Sequence, residues 1–352
     1  MKKKNLLPLL VIPAICLLPG CLKDNPETPK NAADTAVVTE RGATILPAGS
    51  VNQLAAALQN SATVILEPGL HIESDPVVVS GYHHIVGRPG AVLRMGSTPY
   101  IDFTLPIFVA LHFKDAGGSS IRGVKIEPVN PIGGTAILLE NSQKAVVQDC
   151  EISGFQYCIL VEKSPLARVF NNKIAASTAW QTGDIPDAHG IVVINGDGAT
   201  VEKNDVSGGL FGIWACDKNG ALRSNTVHDN YIGIILCKVP AGAFILPDGT
   251  ATGAQYSCTK WVVRNNQSTD NLDAGYLVID GANHNTLVNN EAGNNGTYDY
   301  ELTGDTYRFG FLTPFAFNNT LKAGAGQTVK DCGQNNVVSG GIKINTSIDP
   351  CN

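Results

Sequence analysis

Five short phrases decide the fold: Val169-Phe-Asn-Asn172-Lys-Ile, Val201-Glu-Lys-Asn204-Asp-Val, Leu222-Arg-Ser-Asn225-Thr-Val, Val263-Arg-Asn-Asn266-Gln-Ser and Val288-Asn-Asn290-Glu-Ala. A second phrase keeps step with them: Gly190-Ile, Gly212-Ile, Gly233-Ile and Gly275-Tyr. β-branched runs that return with polar corners about every 22 residues describe a stacked solenoid. Thirty-seven glycines, many asparagines and a charged fraction of only 16% suit a chain made largely of corners. A corner asparagine hydrogen-bonds its own bend and the amide of the next asparagine, and it tolerates left-handed backbone.

Working outward, Ser50-Val-Asn-Gln53 before Leu54-Ala-Ala-Ala-Leu58 reads as a capping box opening a short helix. A helix there would cover the open end of the first strands, Thr63-Val-Ile-Leu66 onward. Cys150 stands at the ladder position one turn before Asn172, so the asparagine stack is expected to begin at Asn172, with Asn319 and Asn336 continuing it. Broken steps in the ladder mark insertions. Asn172 to Asn204 leaves about ten extra residues near 177–188, and Asn225 to Asn266 about twenty near 239–260. Insertions leave from corners, where binding sites are built.

Strand phrases with a Gly-Ile start, a corner asparagine and a capping helix resemble the right-handed parallel β-helix of the pectate-lyase-like superfamily, over roughly residues 45–340. The resemblance implies an all-β, right-handed parallel β-helix and leaves function open, since the superfamily spans lyases, epimerases, hydrolases and adhesins.

The N-terminus reads as an export signal. Lys2-Lys3-Lys4, the apolar run Leu6–Leu18 and Leu18-Pro-Gly-Cys21 resemble a bacterial lipoprotein signal in residues 1–20, with Cys21 lipidated. Residues 21–43 read as a polar tether, and the β-helix as residues 44–352. Loss of three lysines with the signal leaves 22 basic against 31 acidic residues, a net −9. That balance argues against nucleic acid, and leaves the lipid on Cys21 as the membrane contact, at the bacterial outer membrane or cell surface. Export also permits disulfides. Cys332 and Cys351 are placed to staple the tail, Cys237 and Cys258 to close the second insertion; Cys150 and Cys158 share a turn and Cys216 is left over.

Alternation along the Gly-Ile strands sends Ile137/Leu139, Ile159/Val161, Ile191/Val193 and Ile213/Ala215 inward. It sends Leu138/Glu140, Leu160/Glu162, Val192/Ile194, Trp214/Cys216, Ile235/Cys237 and Leu277/Ile279 outward. So large an apolar stripe must be covered, by the inserted loops or by a partner, and burial under the loops is the expectation. Glu140 and Glu162 occupy one outward position on adjacent turns. Such a pair can split into acid and nucleophile, hold Ca²⁺, or simply be solvated beside Lys144 and Lys163. No other cofactor is indicated. Asp184, Asp187 and His189 cluster at the first insertion, and a histidine near two aspartates suits abstraction of a sugar C5 proton. Yet His189 aligns with Tyr157 and Phe211, positions that alternation places inward, where a histidine is a core residue. Trp214 is a candidate sugar-stacking ring, with Asp184 beside it in substrate binding. The aromatics Tyr298, Tyr300, Tyr307, Phe309, Phe311, Phe315 and Phe317 read as a C-terminal cap or, with Arg308, as a glycan surface. The expected partner is an extracellular polysaccharide, bound or modified by a lyase, epimerase or hydrolase chemistry among Glu140, Glu162, Asp187 and His189. The alternative is a non-catalytic glycan-binding, adhesion or structural module.

Overall fold

The computed structural model describes residues 38–40, 42–98, 105–178, 181–182, 185–254, 256–304 and 314–344. Cys21, Asp184, Tyr307, Arg308, Phe309, Phe311 and Cys351 lie outside them. Among the described residues the chain winds through three parallel sheets of 13, 9 and 11 strands, called sheets 1, 2 and 3 in the order each turn visits them. One turn shows the pattern: Arg168–Phe170 in sheet 1, Lys173–Ala175 in sheet 2 and His189–Ile194 in sheet 3. Equal positions stack, as in Val169 on Val201 and Val201 on Leu222. The expected right-handed parallel β-helix is the fold.

Its first end is closed differently from the expectation. The tether read for residues 21–43 ends early, because Val38–Glu40 pairs antiparallel with Ala43–Leu46 and so shares the edge of sheet 1. The helix spans Leu54–Asn60, with Leu54, Ala57 and Leu58 buried against the first turns. No capping box forms: the side chain of Ser50 bonds His71 Nδ1 at 2.6 Å. Glu73, one turn on, takes its place, its Oε1 accepting from the backbone N–H of Gln53 and Leu54, both at 2.9 Å. A carboxylate at a helix N-terminus satisfies orphan donors whichever rung supplies it.

The asparagine ladder from 172 is continuous through 204, 225, 266 and 290. Each Nδ2 donates to the next Oδ1 at 2.8–3.0 Å, and each backbone N–H donates to the same oxygen at 2.9–3.0 Å. Cys150 N–H bonds Asn172 Oδ1 at 3.0 Å, so the stack starts where expected. Asn319 and Asn336 do not continue it. They belong with Asn285 to a second ladder at the corner entering sheet 1. A third, Asn230–Asn271–Asn295, runs along the corner between sheets 2 and 3. Each corner has its own ladder because each bend leaves the same buried backbone groups to satisfy.

The Gly-Ile phrase marks a break in strand alternation. In sheet 3 the residues after it alternate as expected: Ile191 and Val193 join the interior core, Val192 and Ile194 the outer cluster. The glycine itself also faces inward, since a Cβ on Gly190 would stand 2.3 Å from Val206 Cγ1, and on Gly212 2.4 Å from Val227 Cγ1. Two successive inward positions throw the preceding residue out. Tyr157, His189, Phe211 and Ile232 therefore form an outward column, not an inward one.

Candidate functional site

The outer face of sheet 3 carries three columns. Tyr157–His189–Phe211–Ile232 is the first, and Leu138–Leu160–Val192–Trp214–Ile235–Leu277 the second. The third begins with Lys114–Glu140–Glu162–Ile194. The insertion after Cys237 folds back over them as a hairpin whose strands are Phe244–Ile245 and Ala251–Thr252. Phe244, Leu246, Val239 and Ala254 join the outer apolar cluster, and Ile107 N–H bonds Ile245 O at 2.7 Å. The stripe is covered by its own chain, as expected.

Glu140 and Glu162 are register partners on adjacent rungs, but each turns to its own set of donors. Glu140 Oε2 lies 2.7 Å from His112 Nε2, and its Oε1 lies 3.7 Å from Lys114 Nζ. Burial pushes the His112 imidazole below its ordinary value, against the pull of Glu140. Glu162 Oε1 accepts from Thr252 Oγ1 of the hairpin at 2.5 Å, and its Oε2 from Asn195 Nδ2 at 3.2 Å. Lys163 Nζ lies 3.2 Å away. Glu162 is completely buried, and desolvation raises its pKa against those donors. The hairpin is held by the same groups: Asn195 also bonds Gly253 O at 3.0 Å, and Lys114 pairs with Asp248 at 2.9 Å. Among the described residues no three His, Cys, Asp or Glu side chains are grouped to hold a metal.

His189 is buried and stacks on Tyr157 at 5.0 Å, with Phe211 at 5.2 Å and Trp214 at 5.4 Å. Its Nδ1 has no hydrogen-bond partner, and burial lowers its pKa to about 3. An imidazole so placed accepts no proton near neutral pH. Asp187 is half-buried at the end of the first insertion. Trp214, half-buried, is wedged against Phe211 and donates Nε1–H to Cys237 Sγ at 2.8 Å. The expected Cys237–Cys258 closure is absent: both are free thiols, Cys237 in the outer cluster and Cys258 in the interior core. Cys332 is disulfide-bonded, as the tail staple expects of it. Tyr300 turns inward and stacks on Tyr276 at 4.8 Å, so it belongs to the core.

Sequence reasoning missed His112, Lys114 and Thr252. The strand Val109–Lys114 alternates as the later ones do and pairs with Gly133–Glu140, so a register extended one turn back would have found the first two. Thr252 is 90 residues from Glu162, and no pattern announces it. Reasoning also missed an open groove. Along the corner between sheets 2 and 3, two adjoining depressions of about 380 and 430 Å³ share Ser153 and Gly154. The first is lined by Arg94, Glu127 and the segment 128–131, the second by residues 175–178, Ser207, Gly208 and Asp229. Arg94 and Lys125 grip Glu127 at 2.6 and 3.3 Å, and the Arg94 hydrogen bond draws that carboxyl below its usual range. The first insertion leaves the wall at this groove.

No curated protein sequence matches the chain. Among solved structures it is similar to the Dettilon tailspike protein, at 14% identity over 84% of this chain and 68% of that one, TM-score 0.49. It is similar to PfbA, a surface adhesin of Streptococcus pneumoniae, at 12% identity over 81% and 85%, TM-score 0.49. It is also similar to the A-module of the Azotobacter vinelandii mannuronan C-5 epimerase AlgE4, at 12% identity over 85% and 92%, TM-score 0.49. At such identities the likeness concerns the winding of the chain and carries nothing about its chemistry. The family model described as "Right handed beta helix region" matches residues 109–292 and 184–347, together well over half the sequence, and the chain belongs to that family.

Proposed function

We propose that this chain is an exported bacterial β-helix, tethered through lipid on Cys21 at the outer membrane or cell surface, that holds an extended extracellular polysaccharide without cleaving it. The observation that carries the reading is the corner groove, which crosses successive rungs with Ser153, Ser177, Thr178, Ser207 and Asp229 along it. Parallel rungs recur at ~4.8 Å, so a polymer laid along the axis meets hydroxyl, amide and carboxylate partners turn after turn. A shallow, polar, repeating lining suits a hydrated sugar chain better than an apolar small molecule. Chemistry on the outer face is opposed by its closure: Glu162 is 0% and His189 4% exposed beneath the hairpin.

The test is affinity electrophoresis against a panel of neutral and anionic polysaccharides, with parallel assays for new reducing ends and for ultraviolet-absorbing unsaturated uronates. At least one polymer is expected to retard the protein, and Arg94→Ala with Asp229→Ala to weaken binding roughly tenfold, the scale of losing one charge-assisted hydrogen bond. Retardation should survive chelation of Ca²⁺, and no product should form. Binding unchanged in the double variant would remove the groove from the reading. Turnover abolished by Glu140→Gln and His189→Ala would return the function to catalysis on the outer face.

A further inference from the structure

We infer that Cys216 and Cys237 join in a disulfide across adjacent rungs when the chain folds in an oxidising compartment, pinning the root of the hairpin to the wall it covers. Each cysteine follows by one residue the register pair Ala215 and Leu236. Cys237 N–H bonds Ala215 O at 3.3 Å, so the registration extends to the cysteines themselves. Neighbouring parallel strands lie ~4.8 Å apart, inside the ~4.4–6.8 Å between Cα atoms that a disulfide spans. Both side chains point to the same side, into the outer apolar cluster. Cys258, the partner that chain order suggests for Cys237, sits among the interior core residues with its sulfur 3.9 Å from Asn285 Oδ1. The wall of the helix separates that sulfur from the outer cluster. Geometry therefore selects Cys216.

The thiols are free in this structure. Closure is a two-step exchange with a small or protein disulfide as oxidant. One thiolate attacks the donor disulfide and expels one donor thiolate, and the second cysteine attacks the mixed disulfide and expels the other. Two thiol protons and two electrons pass to the donor, which leaves as two thiols. Burial pushes both thiols up, Cys237 well above its ordinary value. Exchange thus belongs to the folding chain, before residues 239–254 close over the pair.

The chain isolated from its export compartment, and reduced chain refolded with oxidised and reduced glutathione, are alkylated with N-ethylmaleimide and digested with trypsin without reduction. The three cysteines fall in different peptides, 204–218, 224–238 and 239–260. The expected product is 204–218 joined to 224–238. Reduction should raise tryptophan emission, because the sulfur beside Trp214 Nε1 ceases to be a quenching disulfide. Alkylated Cys216 and Cys237 in both preparations overturn the inference, as does a link between 224–238 and 239–260. The reading is taken on the unaltered chain, so no variant need fold.

Discussion

An imidazole sealed among aromatic rings must stay neutral, and His189 sets a pH limit on the fold. Its pKa falls from the ordinary 6.5 to about 3 through burial. The unfolded chain therefore binds one more proton than the folded one between those values. The sign follows: the stability tied to a neutral His189 is complete above pH 6.5 and is lost as pH falls toward 3, at about 1.4 kcal/mol per pH unit. His189→Phe keeps a ring against Tyr157 and Phe211 while removing the unpartnered Nδ1. The variant is expected to be more stable by about 1 kcal/mol at pH 7, with the margin widening as the solution is acidified. Urea titrations at pH 7, 5.5 and 4.5 measure it, and a margin that stays constant would mean that His189 is protonated inside the fold. The burial of this histidine was legible in its alignment with Tyr157 and Phe211; its direction was not. Strict alternation sends it inward, but Gly190 lets two successive residues face the core. That reversal depends on the close approach of Val206, which lies on another sheet.

At the scale of the element, the hairpin joins an apolar underside to a polar edge. Phe244 packs on Tyr157 at 5.3 Å and on Trp214 at 6.3 Å, while Thr252, Gly253 and Asp248 meet Glu162, Asn195 and Lys114. The Lys114–Asp248 pair is partly solvated at both ends and adds little. Phe244 is the anchor. Its truncation removes contacts worth about 3 kcal/mol, and a two-stranded hairpin has almost no stability of its own. Phe244→Ala should therefore free the hairpin while the solenoid stays folded. Limited proteolysis should cut near Asp248-Gly249, and an apolar dye should bind the uncovered stripe, with the main thermal transition little changed. A lowered main transition without cleavage would make the hairpin integral to the wall. The ladder step of 41 residues located this insertion, and the dry stripe implied its landing place, because each is a property of neighbouring rungs. The polar edge was illegible for a physical reason. Thr252 reaches Glu162 across 90 residues, and the hairpin fixes that contact by packing rather than by period.

The whole molecule is a stack in which each turn meets only its neighbours, so its stability is a sum over rungs and interfaces. The three asparagine ladders make that statement testable. Excising residues 266–289 would join Asn265 to Asn290, leaving a left-handed residue before a ladder asparagine as in the parent, where Asn265 and Asn289 have φ of 56° and 55°. At the first corner Asn225 would then meet Asn290 in place of Asn266, and at the second Asn230 would meet Asn295 in place of Asn271. At the third, the Trp261 N–H now held by Asn285 would pass to Asn319. Sheet pairs re-form with like partners at three positions, Gln267, Tyr276 and Thr286 handing their places to Glu291, Tyr300 and Thr320, while Leu277 on the outer face gives way to Glu301. The excised turn lies clear of the groove and of the polar groups that hold the hairpin's strands, but it takes Leu277 and Ile279 out of the outer cluster. The shortened chain is expected to fold cooperatively with the parent's β-type circular dichroism. Its transition should be less steep in denaturant, by about one rung's share of the buried surface. A chain that stayed unfolded or lost its cooperative transition would show that the fold depends on contacts specific to single rungs, such as Ser268 Oγ with Gly275 O at 2.7 Å, rather than on the repeating corners.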